Sequence, residues 1–502
     1  MTPPSREPHS ESCPRGQLPA RRDGENMRPR TYLPLVVSVC YLVGCRSADA
    51  PPIPVPELAV LSAGTNPLNQ LSALFEVRAS HADSLRITYS TSDARPDTTP
   101  AFRLNSSVRS LALLGLRPST RYSASFAIYG PGGQSTLGPF EITSGVLPAA
   151  LANVKLTVTG TPTGGYLLTA LPIAASAVAL VAFDSAGDVR WYRFFDVAGT
   201  GNDAEQQQNG DFTMFLGTTR GFDDTRGNFV QVTPTGEIVR TFVAPEPLYT
   251  DGHELLLSFR DSTLAASTFF GYDRRTMTVA GPSGPIDEIL GVHTIVRLRP
   301  DGSEAWRFPV DQLLSLNDWI EPPPTTGDID HPNSLTVDSA GNYVVSFRNA
   351  GEITSIDSST GRVLWRLGGT HNEFEFVGDP LGGFSAQHYV RVLPNGHLLL
   401  FDNGWRHQPQ ESRAVEYALD VKNRRATMVW QFHHSPPFFC AFVGSAQRLK
   451  NGNTLIGWGY VGVVSEVDSH GNTIWEGTLT SPATASFYRM LKLPSLYRYE
   501  IP

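Results

Sequence analysis

Three histidines begin three similar segments of the chain, and their side chains are the first candidates for chemistry. His253, His331 and His388 each precede a strand-like run, a turn and a second strand-like run. Histidines at one position of a repeated unit would face one another if the units closed into a ring. Imidazoles act as nucleophiles, as general acids and bases, or as metal ligands. The pattern therefore predicts one shared site rather than three separate ones.

Four further polar residues are expected at the same place. The second strand of an antiparallel pair returns to the end where the first began, so Arg348 follows one returning strand, and Asp402 and Asn403 follow another. Asn333 lies two residues after His331 and hence on the same face of its strand. Such a site is cationic and rich in hydrogen-bond donors. It suits a sulfate or phosphate group held by the planar fork of an arginine.

Two other interpretations of the histidines stay open. A single imidazole is most often a hydrogen-bonded structural residue, but the shared position of three argues against that interpretation. Three histidines can also bind Zn²⁺. We predict no metal site, because the guanidinium of Arg348 beside the histidines would repel a cation.

The composition favours a turn-rich fold and argues against general nucleic-acid binding. The 502 residues are 40% hydrophobic and 18% charged, which is enough for a substantial core. The 45 Gly and 39 Pro indicate many turns rather than long helices. A formal net charge of -8 does not provide the basic surface that nucleic-acid binding needs.

Residues 1–45 are predicted to be a leader that ends in a lipoprotein signal. Two arginines precede a short apolar run that ends at Cys45, and this run is too short to span a bilayer. It resembles a bacterial lipoprotein signal, in which Cys45 is lipidated; the alternative is a plain secretory signal. Met27 directly precedes the signal and is a candidate for the true first residue, in which case residues 1–26 result from a start codon placed too far upstream. We expect an extracytoplasmic protein with a lipid anchor in a bacterial membrane, in the periplasm or at the cell surface.

Cysteine usage predicts a mature chain without an internal disulfide. Processing at Cys45 would remove Cys13 and Cys40 and leave Cys440 as the only other cysteine. A cysteine-based metal site or redox pair is then excluded as well.

The rest of the chain is predicted to contain a linker and two all-β domains. Residues 46–57 are rich in Pro and Ala and are interpreted as the linker. Residues 58–147 carry short alternating strands, and the segment around Tyr122 resembles the tyrosine corner of fibronectin type III domains. This predicts a fibronectin III-like β-sandwich, which is also the candidate surface for a homodimer.

Residues 148–495 carry a repeat that is typical of propeller blades. Gly and Trp recur four residues apart in four units, at Gly187/Trp191, Gly302/Trp306, Gly361/Trp365 and Gly471/Trp475. Looser copies near Gly236 and Trp430 bring the number of units to six. The tryptophans are expected to pack between units. The sequence thus predicts an all-β chain in which a β-sandwich precedes a six-bladed β-propeller.

Four short segments resemble those of bacterial arylsulfotransferases, namely the segments around His331, Arg348, His388 and Asp402. The resemblance covers about residues 60–490. That family joins an N-terminal β-sandwich to a six-bladed propeller. It transfers a sulfuryl group from one phenol to another without a nucleotide sulfate donor.

The resemblance implies a ping-pong mechanism that needs no cofactor. His388 matches the nucleophile that becomes sulfohistidine, while His253, His331 and Arg348 match the groups that hold the sulfuryl oxygens. Asn333 matches a supporting polar residue. The substrates implied are small aryl sulfates and phenolic acceptors.

Three other functions stay open at this point. The first is a non-catalytic surface propeller that binds carbohydrate or protein, since fold does not imply function. The second is a quinoprotein, because residues 357–365 resemble its blade repeat, although the mature chain has no adjacent cysteine pair and fewer units than is usual. The third is a hydrolase or lyase whose metal ion is bound by the three histidines.

Overall fold

The regular secondary structure of the described residues is almost entirely β-strand. The computed structural model describes residues 52–104, 108–219, 225–281, 284–320, 329–483 and 485–498. Within these residues there are 34 strands and three short 3-10 helices, at Ala149–Leu151, Val310–Gln312 and Leu316–Asp318. The all-β prediction is confirmed. The predicted leader with Met27 and Cys45 lies outside the described residues, and among those described no helix is long and apolar enough to cross a bilayer.

The first eight strands form two sheets that share one core. They are β1 (Glu57–Thr65), β2 (Ala73–Ser80), β3 (Ser84–Ser90), β4 (Asp97–Thr98), β5 (Phe102–Arg103), β6 (Val108–Leu113), β7 (Arg121–Gly130) and β8 (Gly133–Thr143). One sheet has the order β1-β2-β6; the other has the order β4-β3-β7-β8, with β5 paired to β3. Phe75 on β2 and Phe126 on β7 meet edge to face with ring centroids 5.2 Å apart. The Tyr122 hydroxyl accepts a hydrogen bond from the Arg117 backbone N–H at 2.8 Å.

The strands that follow form six sheets within the described residues. The first twelve of these strands are β9 (Lys155–Gly160), β10 (Tyr166–Ala174), β11 (Ala177–Asp184), β12 (Val189–Phe195), β13 (Thr200–Gln206), β14 (Phe212–Thr219), β15 (Thr225–Val232), β16 (Ile238–Phe242), β17 (Tyr249–Arg260), β18 (Thr263–Gly281), β19 (Gly284–Leu298) and β20 (Glu304–Pro309). Three sheets contain β10–β12, β13–β16 and β17–β20.

Fourteen strands remain, and all but the last of them belong to the other three sheets. These are β21 (Pro332–Val337), β22 (Tyr343–Phe347), β23 (Glu352–Ile356), β24 (Val363–Gly368), β25 (Glu375–Val377), β26 (His388–Val392), β27 (Leu398–Asp402), β28 (Arg413–Asp420), β29 (Arg425–His433), β30 (Ser445–Arg448), β31 (Thr454–Trp458), β32 (Val463–Val467), β33 (Thr473–Thr480) and β34 (Leu491–Leu493). The sheets contain β21–β24, β25–β29 and β30–β33. All neighbouring strands in them are antiparallel except β25 and β29.

The first and last strands of this region each join a distant sheet. β9 pairs with β33 in the last sheet, and β34 pairs with β10 in the first. The strands β10, β13, β17, β21, β26 and β30 contact one another in this order, and β30 contacts β34. The six sheets therefore follow one another in a closed cycle, with these strands on its inner side.

Two kinds of residue hold the last sheet of the cycle to its turn and to the sheet that follows it. At one turn the Asp468 carboxylate accepts hydrogen bonds from the backbone N–H groups of His470 and Asn472, at 2.9 and 2.8 Å. Gly471 then takes a φ of +83°, which an L side chain would oppose. The indole N–H of Trp475 donates to the Ser185 carbonyl in the next sheet of the cycle at 2.9 Å. Local turn chemistry and inter-sheet packing thus agree in this repeat.

Candidate active site

His388 opens β26 and lies at the centre of the site. Its ring is buried, and its Nδ1 lies 2.7 Å from Asn403 Oδ1 and 3.0 Å from the Ala386 carbonyl oxygen. The Asn403 amide nitrogen donates to the carbonyl groups of Cys440 and Val443, at 2.8 and 3.0 Å, so its oxygen must be the acceptor. The proton of His388 therefore lies on Nδ1. The lone pair of Nε2 is left for chemistry.

The surroundings of His388 also keep the ring neutral. Burial lowers the pKa of His388 well below its ordinary value, and Arg348 lowers it further, followed by His331 and His253. Asn403 opposes this effect only in part. Arg348, His331 and His253, which the sequence predicted to lie at this site, thus all lower the pKa of His388.

The other two histidines contact each other beside this ring. His253 on β17 and His331, which precedes β21, have ring centroids 4.6 Å apart. The His331 carbonyl accepts the backbone N–H of Arg348 at 3.0 Å, which joins these two residues across the start of one sheet. The Tyr488 hydroxyl donates to the His253 carbonyl at 3.2 Å. Sequentially distant segments are therefore fixed together by one backbone hydrogen bond and one hydrogen bond from a side-chain hydroxyl.

Arg348 is half-buried, and its guanidinium reaches the segment 440–443, whose carbonyl groups also accept the hydrogen bonds of Asn403. One guanidinium nitrogen donates to Asn349 Oδ1 at 3.1 Å, and another donates to the Ala441 carbonyl at 3.4 Å. A guanidinium fixed in this way offers planar N–H donors to an anionic group without having to reorganise.

Positive φ angles occur at the positions that aim the site. His331 has a φ of +46°, and Ala386 and Tyr389 on either side of His388 have values of +53° and +50°. Each such angle costs a non-glycine residue about 1 kcal/mol or more. The surrounding hydrogen bonds must offset this cost. Backbone strain of this kind is concentrated at functional sites in proteins.

Asn333 is fully buried next to the residue that precedes His388. Its amide nitrogen donates to the Gln387 carbonyl at 2.7 Å. Among the described residues Asn333 Oδ1 has no hydrogen-bond partner. This leaves one buried acceptor available beside the histidines.

Asp402 lies beneath the site. One carboxylate oxygen accepts the backbone N–H groups of Ser385 and Gly404, both at 3.0 Å, and the other accepts Arg413 Nε at 2.9 Å. Its side chain is completely buried. The structure therefore brings Asn403 to His388, while Asp402 supports the loop that carries Asn403.

A buried ion network lies next to the histidines and has no counterpart in the sequence prediction. The carboxylates of Asp203, Glu205 and Glu254 offer oxygens within 4.8 Å of one another. Arg391 donates to Glu205 and Glu254 at 2.9 and 2.8 Å, and Arg489 pairs with Glu254 at 3.0 Å and with Asp203. Two guanidinium groups thus compensate most of the charge of the three carboxylates. These carboxylates and guanidinium groups form an ion network that holds the inner strands together.

Three further residues near His253 were also missed. Asp251, His293 and Asp330 form hydrogen bonds and ion pairs with His253 and with one another. Asp251 stands two residues before His253, and Asp330 directly precedes His331, so proximity in sequence was an available signal for both. His293 lies inside the long strand β19, where no local pattern marks it.

One long segment of the chain matches a known protein family. Residues 314–480 match the family model described as arylsulfotransferase (ASST). The predicted resemblance to the arylsulfotransferases is confirmed. The matched arylsulfotransferase segment includes His331, Arg348 and His388, whereas His253 lies outside it. No curated protein matches the chain.

Solved structures resemble the chain only weakly. A protein of unknown function from Bacteroides caccae is 12% identical, covers 67% of this chain and 100% of its own, and has a TM-score of 0.39. A catalytically inactive variant of virginiamycin B lyase from Staphylococcus aureus, with quinupristin, is 10% identical, covers 66% and 91%, and has a TM-score of 0.31. A protein from Lactobacillus plantarum is 10% identical, covers 82% and 99%, and has a TM-score of 0.33. Likeness at this level carries no argument about function.

Proposed function

We propose that the protein is a nucleotide-independent sulfotransferase that moves a sulfuryl group from an aryl sulfate to a phenolic acceptor through a sulfohistidine at His388. The observation that carries this proposal is the state of His388: Nδ1 is the protonated nitrogen, and Nε2 has a free lone pair beside Arg348. A neutral imidazole next to a fixed guanidinium fits attack on a sulfate ester. The arylsulfotransferase match supports the same chemistry.

In the donor half-reaction the Nε2 lone pair of His388 attacks sulfur. A nitrogen–sulfur bond forms while the bond between sulfur and the aryl oxygen breaks. The leaving phenolate takes a proton from a neighbouring histidine. His253 is suited to this step, because Nδ1 is bound to Asp251 and only Nε2 is left to exchange a proton. Arg348 and His331 would stabilise the charge on the sulfuryl oxygens.

In the acceptor half-reaction these changes run in reverse. The acceptor phenol gives its proton to the same histidine, and its oxygen attacks sulfur as the nitrogen–sulfur bond breaks. His388 returns to its neutral form with the proton still on Nδ1. The Asn403 oxygen accepts a hydrogen bond from Nδ1–H throughout, and this bond stabilises the positive charge that the ring gains while it is sulfated.

We further propose that the six sheets are the blades of a six-bladed β-propeller and that the two N-terminal sheets form a fibronectin III-like sandwich. The closed cycle of inner strands and the Tyr122 hydrogen bond support these assignments. Anchoring through a lipid on Cys45 in a bacterial membrane and formation of a homodimer by the sandwich are proposals that rest on the sequence alone.

The proposed function is tested by mass spectrometry of the intact protein. Incubation with a panel of aryl sulfates, without acceptor and at neutral pH, is expected to add one sulfuryl group to the protein. Peptide mapping should locate it on the peptide that contains His388. Unchanged mass with every donor, alongside retained binding of these donors, would instead favour a non-catalytic binding propeller.

Asn403 provides a second test of the same chemistry. Replacing Asn403 with Ala is expected to lower kcat about 10²-fold, because His388 loses the acceptor that fixes its tautomer and direction. The measurement is steady-state transfer to a phenolic acceptor, and Asn423→Ala, which changes an exposed turn, is the matched control. Equal rates in the two variants would show that the Asn403 contact does not orient the nucleophile.

A further inference from the structure

A buried chain of alternating carboxylates and imidazoles runs from the site into the protein. Asp330 Oδ1 lies 2.6 Å from His293 Nδ1, and His293 Nε2 lies 3.5 Å from Asp251 Oδ2. Asp251 Oδ1 then lies 2.8 Å from His253 Nδ1. We call Asp330, His293, Asp251 and His253 the carboxylate–imidazole chain. It joins β17, β19 and the segment before β21.

The inner part of this chain is removed from solvent. The side chains of His293 and Asp330 are 3% and 1% exposed, and that of Asp251 is 11% exposed. Charges at such depth persist only when they are paired. Each inner member of the chain therefore depends on its neighbours for its charge state.

The pairing makes His293 a cation between two anions. Burial by itself would lower the pKa of His293, but Asp330 and Asp251 outweigh this effect and raise it well above the ordinary value. Burial would raise the pKa of Asp251, but His253 and His293 hold it below the ordinary value. The inner chain is thus a carboxylate, an imidazolium and a carboxylate.

We propose that His293 is a positioning residue for the sulfuryl transfer: its imidazolium fixes the Asp251 carboxylate and offsets its charge, which orients His253 and keeps its proton exchangeable. This inference rests on the proposed function and extends it to a residue that acts through Asp251 and His253. It explains why a histidine stands within a long strand away from the repeat positions.

The electrostatic sign follows from the arrangement. Loss of the His293 charge leaves Asp251 as an uncompensated anion beside His253, which stabilises the doubly protonated form of His253 relative to its neutral form. A histidine that holds its proton too tightly still protonates a leaving phenolate. It cannot accept the proton of the incoming phenol until the pH is raised.

The other titratable or charged groups around the carboxylate–imidazole chain are the same in wild type and in a variant at position 293. Among the residues that the structure describes, Tyr272 lies against His293, His331 and Tyr488 lie against His253, and His388 with Arg348 beside it interacts with His253. They are unchanged by substitution at position 293, so a change in His253 reports the loss of the His293 charge.

The test is an NMR titration of the full chain with isotope-labelled histidine side chains. In wild type both ring nitrogens of His293 are expected to stay protonated through neutral pH. In His293→Gln, a larger fraction of His253 should carry protons on both ring nitrogens than in wild type at the same pH. His293→Lys restores a positive charge and should return this fraction toward wild type, which a packing role would not predict. His397→Gln, which removes an imidazole bound to Glu416 at 2.7 Å, is the matched control and should change nothing at His253.

Two results would overturn the inference. One is a His293 ring with a deprotonated nitrogen at neutral pH in wild type, which needs no variant. The other is a doubly protonated fraction of His253 that is the same in folded His293→Gln as in wild type. Activity gives a separate readout, because the acidic limb of the acceptor half-reaction should move to higher pH in His293→Gln. Absence of a sulfated wild type would reject the proposed function while the titration still decides the role of His293.

Discussion

Replacing His388 with Asn is expected to abolish sulfuryl transfer, with a loss on the order of 10⁴-fold or more in kcat. Asparagine can keep a hydrogen bond with Asn403, but it has no lone pair comparable to that of Nε2. The variant should therefore form no sulfated intermediate with any aryl sulfate. Steady-state transfer and intact mass after incubation with donor alone measure the two effects together.

His397→Asn is the matched control for this substitution. His397 is a half-buried histidine bonded to Glu416 at a turn outside the site, so the same chemical change there should leave turnover intact. Turnover by His388→Asn at the rate of the control would contradict covalent catalysis by His388. A sulfuryl group that maps to another histidine in the wild type would contradict the assignment of the nucleophile.

Replacing Arg348 with Ala is expected to lower kcat by about 10²- to 10³-fold, the usual cost of losing one fixed donor to a transition-state oxyanion. The guanidinium is held by Asn349 and the Ala441 carbonyl, so it needs little reorganisation as charge develops on sulfur-bound oxygens. Its loss also removes a cation that lowers the pKa of His388. The acidic limb of the donor half-reaction should consequently move to higher pH.

Arg348→Lys separates charge from geometry. Lysine keeps the positive charge, so the acidic limb should stay near that of wild type, but it lacks the planar fork and should recover only part of kcat. Arg299→Ala, in an exposed turn, serves as the control. An Arg348→Ala enzyme with wild-type kcat and an unchanged pH profile would remove Arg348 from the proposed machinery.

Sequence patterns predicted the strands, the turns and the residue positions that are determined by local interactions. Strand alternation and turn residues indicated an all-β chain, and the beginning of β26 at His388 follows from the apolar run after that histidine. The position of Arg348 at the end of a returning strand follows from the antiparallel pairing of β21 and β22. These features depend on residues that are close in sequence.

Asp402 and Asn403 show where such patterns stop. Asp402 ends β27 and Asn403 follows it, and because neighbouring residues point in different directions, both side chains could not face the imidazole. The buried Arg413, on the adjacent strand β28, takes the Asp402 carboxylate and leaves Asn403 for His388. That choice depends on a contact between strands, and no spacing along one strand reveals it.

His293 was out of reach for a different reason. Its partners Asp251 and Asp330 lie about forty residues away on either side, so their contacts form only when β17, β19 and the segment before β21 come together. Proximity of this kind is a property of the tertiary fold. An isolated histidine in a strand offers no sign of it.

The double closure of the six-sheet cycle has a consequence for biosynthesis. β34 pairs with β10, and Tyr488 and Arg489 just before β34 contact His253 and Asn333. A nascent chain that has not yet extended past these residues lacks part of the wall around its histidines. During synthesis the surroundings of these histidines are therefore complete only once β34 has been made and has paired with β10.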